Sequence, residues 1–181
     1  MFKSISILLM ALTLSACGVS EKGLISAAYN GDTDTVTKAL DAGMDVNTRD
    51  QKGRIPLLSY AAGGGHANVA EMLLQRGADI NGVDAQGWTA LHHTVANGAV
   101  DVIDVLAKHG ADLNLKNSDE WTPLMYAVFQ NKPNVVKKLL SHGADRSIKT
   151  SQGIDALAIA QQKGLIDIAS ALRSTDNRQS G

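Results

Sequence analysis

The sequence repeats itself every 33 or 34 residues, and no other feature constrains the fold as strongly. Units of that length cannot each bury an apolar face alone, so they stack on their neighbours instead of closing around one core. Asp50-Gln51-Lys52-Gly53, Asp84-Ala85-Gln86-Gly87, Asn117-Ser118-Asp119-Glu120 and Thr150-Ser151-Gln152-Gly153 recur at steps of 34, 33 and 33 residues. Gly43, Gly77, Gly110 and Gly143 keep the same steps, the last three within Gly-Ala-Asp. Two markers in phase define a repeat.

Within each period a polar turn precedes a short alanine-rich helix, a Gly or Asn break, a second helix with paired aliphatics and the Gly-Ala-Asp stop. Val69, Met72, Leu73 and Leu74 have the spacing of one helical face, as do Val102, Ile103, Val105 and Leu106, and Val135, Val136, Leu139 and Leu140. Gly77, Gly110 and Gly143 follow these helices where the backbone often turns left-handed, a conformation that a Cβ opposes.

Thr89-Ala90-Leu91-His92, Thr122-Pro123-Leu124, Gly65-His66 and Gly77-Ala78-Asp79-Ile80-Asn81 resemble the motifs of ankyrin-repeat proteins. The resemblance implies an all-α solenoid of helix-turn-helix units with β-hairpin-like turns. It covers residues 21–172 in five units: 21–49, 50–83, 84–116, 117–149 and 150–172. Residues 173–181 are expected to be a flexible tail. Departures from the pattern predict local differences. An extra residue near Gly63, Gly64 and Gly65 suggests a looser helix junction in the second unit. Glu120 stands at a turn glycine, Met125 where histidine is usual, and the fifth unit reads Asp155-Ala156-Leu157-Ala158.

Residues 1–16 have the layout of a signal peptide: Lys3 precedes an apolar stretch of Ile5, Ile7, Leu8, Leu9, Met10, Leu12 and Leu14. The stretch is shorter than the ~20 residues a transmembrane helix needs. Leu14-Ser15-Ala16-Cys17 resembles the lipobox of bacterial lipoproteins, and Cys17 is the chain's single cysteine. That resemblance implies cleavage before Cys17, acylation there, and a short tether over 17–20. Gly18 in place of aspartate after the cysteine implies the periplasmic face of the outer membrane.

Composition removes several function classes. Lys and Arg total 17 against 18 Asp and Glu, so no large field draws in nucleic acid. One cysteine supports neither an internal disulfide nor a zinc ribbon. No P-loop or GxSxG motif occurs, and Gly63 to Gly65 follows a helix instead of a strand. Asp79, Asp112 and Asp145 resemble carboxylates paired across repeats, yet each occupies the same turn and is expected to cap backbone N–H groups. His92 takes the family's structural position beside Thr89, whereas His93 has no evident structural partner. The chain is therefore expected to be no enzyme, and to hold no metal or cofactor.

The aromatic residues carry the functional expectation. Trp88 and Trp121 follow the turn in consecutive units, at a position that projects from the hairpin finger in ankyrin proteins. Tyr126 and Phe129 match positions facing the family's concave groove. Exposed Trp and Tyr bury large areas at low entropic cost, so clusters of them mark partner sites. The candidate protein-binding set is Trp88, Trp121, Tyr126, Phe129, His93 and Arg54. The expected function is a membrane-anchored module that binds another protein through fingers and groove. The resemblance leaves two narrower readings: an immunity or inhibitor protein that neutralises a toxic effector enzyme, or an accessory to a periplasmic catalase in oxidative-stress defence.

Overall fold

The computed structural model describes residues 18–52 and 54–174. The expected signal peptide, Cys17 and the expected tail from 175 onward lie outside the described residues. Ten helices are described, in five pairs: α1 (Glu21–Asn30) and α2 (Thr33–Asp41), α3 (Leu57–Gly64) and α4 (Ala67–Gln75), α5 (Ala90–Asn97) and α6 (Val100–Lys108), α7 (Pro123–Phe129) and α8 (Pro133–Ser141), α9 (Ala156–Gln162) and α10 (Ile166–Arg173). The first helices form one row, each packed on the next from α1 to α9. The second helices form a parallel row, α2 to α10. This is the expected all-α ankyrin-type solenoid.

Sequence columns become core columns. Leu24, Leu58, Leu91 and Leu124 share one position of the first helix and are all buried. In the second helix Ala39, Leu73, Leu106, Leu139 and Leu172 form one buried column, and Val36, Ala70, Ile103, Val136 and Ala169 another. Each second helix is amphipathic by itself and buries its stripe only between its neighbours, which makes the unit depend on the stack.

Side chains at the helix starts and in the loops fix the register. Thr89, Thr122 and Asp155 accept hydrogen bonds from the third backbone N–H of α5, α7 and α9, satisfying donors that the helix leaves free. Asp79, Asp112 and Asp145 each accept from the backbone N–H two residues ahead, as local caps. From unit to unit, Asn47 accepts from Asp79 N, Asn81 from Asp112 N and Asn114 from Asp145 N, at 2.8, 3.0 and 2.9 Å.

The hairpin turns close by backbone bonds: Asp50 N to Ile55 O, Asp84 N to Trp88 O, Asn117 N to Trp121 O and Thr150 N to Ile154 O. This series relocates the extra residue of the second unit. Five steps separate Asp50 from Ile55, where four separate its counterparts, so the insertion lies in the turn and not near Gly63 to Gly65. Arg54, just before Ile55, is left-handed at φ +53°, as are Gly87, Glu120 and Gly153 at the same place in the other turns. The expected loose junction is replaced by a tight one. Gly65 closes α3 with φ at +80°, much as Gly98 closes α5 at +86°. At Gly64 a Cβ would run into the Tyr29 carbonyl of α1, so this glycine permits the close approach of the first two units.

Candidate partner-binding site

The turns position the site. Asp84 is buried, and its Oδ1 accepts from the backbone N–H groups of Gln86 and Trp88, both at 2.9 Å. Asn117 does the same for Asp119 and Trp121 at 3.0 and 2.9 Å. Each tryptophan therefore leaves a turn whose shape is fixed by one side chain. The second oxygen of Asp84 lies 2.9 Å from Nε2 of His93 on α5. Asp50 makes the equivalent contact with the hydroxyl of Tyr60, 3.1 Å away on α3. His93 thus has a structural partner, correcting the expectation that it had none: it ties finger to helix. Burial and the hydrogen bond to Asp50 raise the Tyr60 pKa.

His92 is fully buried beneath this surface. Its Nδ1 accepts from Thr89 N–H at 3.3 Å, which leaves the ring proton on Nε2 to donate to the Trp121 carbonyl at 3.1 Å. Burial lowers its pKa from the ordinary 6.5 to about 4. The neutral ring is a rivet between units.

The rings form edge-on pairs. Trp88 reaches across the unit boundary to Tyr126, with centroids 4.8 Å apart, and also lies against His93 at 5.4 Å. Trp121 meets Phe129 of its own unit at 5.0 Å. Both indoles are half-buried and Trp121 packs against the core, so neither projects as freely as the sequence suggests. No indole-to-indole pair occurs among the described residues. Lys163 sits 4.3 Å above the Phe129 ring, a cation–π geometry. Tyr29 and Tyr60 add a third edge-on pair at 6.5 Å. The exposed large hydrophobics among the described residues are Tyr29, Val83, Phe129 and Ile166. The first and third lie on the first-helix row and Val83 at the base of a finger; Ile166 starts α10 on the other row.

Tyr29, Tyr60 and Lys163 were missed by sequence reasoning. Tyr29 stands two residues before the left-handed Gly31, just as Phe129 stands two before the left-handed Asn131. Tyr60 precedes His93 and Tyr126 by steps of 33. Counted forward from Asp50, across the inserted residue, it falls one place out of register and reads as core. Arg54, by contrast, is exposed at the edge of the first finger, away from the indoles in sequence.

Other histidines tie the second-helix row. His109 lies 3.0 Å from Glu71 and His142 2.6 Å from Asp104, which also meets Lys138 at 2.8 Å. These contacts hold Glu71 and Asp104 below their ordinary pKa values, through the His109 hydrogen bond for the first and the Lys138 and His142 bonds for the second. Among the described residues no group of three or more His, Cys, Asp or Glu side chains is placed to hold a metal ion.

The sequence matches the family model "Ankyrin repeats (3 copies)" over residues 24–117 and 110–179. It is 42% identical over 36% of its length to ankyrin repeat-containing protein P1E11.10 of Schizosaccharomyces pombe, covering 31% of that protein. It is 39% identical over 44% of its length to mouse cyclin-dependent kinase 4 inhibitor B, covering 59%. Against the rat 26S proteasome non-ATPase regulatory subunit 10 the identity is 32% over 39% of the chain and 31% of the relative. The matches span 31% to 59% of the length of these relatives. With the helix pairs, the hairpin turns and the family model in agreement, this chain belongs to the ankyrin-repeat proteins.

Proposed function

We propose that this chain is a non-enzymatic protein-binding module, held by an acylated Cys17 at the periplasmic face of the outer membrane, and that it meets its partner with the first-helix row and the hairpin fingers. One observation carries the binding reading: Tyr29, Tyr60, Trp88, Trp121, Tyr126 and Phe129 are gathered into three edge-on pairs along the first helices and turns. Rings already ordered by one another and by fixed turns lose little entropy on contact. Names of the relatives agree with regulation by binding, one being a kinase inhibitor and another a non-ATPase regulatory subunit.

Of the two narrower readings, inhibition of an enzyme has a counterpart among the relatives, cyclin-dependent kinase 4 inhibitor B; the accessory to a periplasmic catalase is the alternative.

The lipoprotein reading rests on Leu14 to Cys17. Labelling cells with an alkyne fatty acid tests it: the chain is expected to take the label at Cys17 and Cys17→Ser to lose it, and an unlabelled wild-type chain overturns the anchor. For the binding face, envelope extract is passed over immobilised wild-type chain and over Phe129→Ala. A partner retained by the first and lost by the second is expected; equal retention overturns the site.

A further inference from the structure

The first finger differs from the others in charge and in length. Between Thr48 and Pro56 it carries Arg49, Lys52 and Arg54 against one carboxylate, Asp50. The second finger has only Asp84, the third sets Lys116 against Asp119 and Glu120, and the fourth has Lys149 with Asp155 beside it. Asp50 is committed inward, accepting from Ile55 N at 2.7 Å and from the Tyr60 hydroxyl. Arg49 is committed to structure as well: its guanidinium donates to the carbonyls of Arg54 and, in the next unit, Val83. Lys116 repeats that contact on the Lys149 carbonyl at 2.7 Å. Lys52 and Arg54 remain, both exposed and with no carboxylate in ion-pair range among the described residues. Arg54 stands just before the closing Ile55 and holds φ at +53°, the left-handed place that Gly87 and Gly153 take in the second and fourth fingers and Glu120 in the third, where a Cβ is disfavoured.

These cations do not stand alone. Through Asp50 the finger is fastened to Tyr60, and Tyr60 is paired with the exposed Tyr29. Val83, exposed at the base of the next finger, is joined to the first finger by Arg49. Positive charge thus borders the apolar row at its N-terminal end, while the third finger carries acidic Asp119 and Glu120.

Resting on the binding reading above, we infer that the partner presents an extended acidic segment followed by apolar residues: its carboxylates meet Lys52 and Arg54, and its apolar part lies along the rings toward Trp88 and Tyr126. The longer first turn serves this contact, with Arg54 placing its guanidinium where the backbone would be more relaxed with glycine. Charge complementarity of this kind sets partner choice and association rate.

A displayed library of random 15-residue peptides tests the inference, selected on the full chain, on Lys52→Glu/Arg54→Glu and on Trp88→Ala. Wild type is expected to enrich Asp- and Glu-rich peptides bearing apolar residues, and the charge-reversed chain to bind those peptides about tenfold or more weakly, with most of their salt dependence lost. Arg54→Gly supplies the folding control, since it is expected to melt no lower than wild type while losing the same peptides. Enriched peptides that are neutral or basic, or acidic ones that bind the charge-reversed chain equally well, overturn the inference. If they still need Trp88, the binding face itself stands. Failure of wild type to enrich any peptide overturns both.

Discussion

Nε2 of His92 donates to the carbonyl of Trp121 across the boundary between the third and fourth units, at 3.1 Å. The equivalent positions hold Ser59 and Met125. Ser59 is buried with its Oγ unpartnered among the described residues, and a thioether has no N–H to give. One of the equivalent inner positions therefore carries this rivet, and it lies directly under the two tryptophans.

That rivet makes stability depend on pH. The folded pKa of His92 is about 4 against an ordinary 6.5, so between those values the unfolded chain binds more protons. The contribution is intact above pH 6.5 and is lost as pH falls toward 4, about 2 kcal/mol of it by pH 5. Chemical denaturation of wild type and His92→Met at pH 7.5 and 5 measures the effect. The variant is expected to lose markedly less stability between those pH values; equal losses show that His92 titrates normally. Glu71 and Asp104, held low by their partners, contribute stability present above their ordinary carboxylate values and lost as pH falls below them, from the acid end of the His92 window downward.

The Asp84–His93 contact is expected to brace the third unit. His93→Ala leaves one oxygen of a buried carboxylate without its partner, which costs about 1–3 kcal/mol. His93→Gln, able to donate to the same oxygen, should recover part of it. An unchanged denaturation midpoint in His93→Ala shows the contact to be idle.

Half-burial changes what tryptophan truncation should do. Fully exposed fingers would leave stability unchanged, but Trp121 packs on the core and Trp88 against Tyr126. The double alanine variant is expected to lose about 1–3 kcal/mol as well as affinity, because area is lost at both sites. Phe129→Ala is the cleaner probe, since the ring is 44% exposed: stability within about 0.5 kcal/mol of wild type, with weakened binding. Leu91→Ala, 1% exposed in the core, should cost about 2–5 kcal/mol. A Phe129→Ala chain that melts as early as Leu91→Ala overturns this ranking.

Gly64→Ala tests the junction of the first two units. The added methyl meets the Tyr29 carbonyl, so α1 must move, at a cost of about 1–3 kcal/mol. Amide exchange should show α1 opening first. Full protection in the variant means that the junction is looser than its geometry.

Sequence by itself determined the period, the helix pairs and the buried columns, because a strict 33- or 34-residue spacing of leucine, glycine and turn residues has one economical solution: stacking like faces on like. It also placed Trp88, Trp121, Tyr126 and Phe129 on the turns and the first helix. Only tertiary structure decided which ring meets which, that Asp84 holds His93, and that Tyr29 and Tyr60 extend the surface. Those contacts join different units or different elements of one unit, so their partners carry no fixed offset along the chain. The longer first turn shows the same limit. One residue added to a turn changes every count that crosses it, and the backbone bond from Asp50 to Ile55 was needed to show where the chain makes room for it.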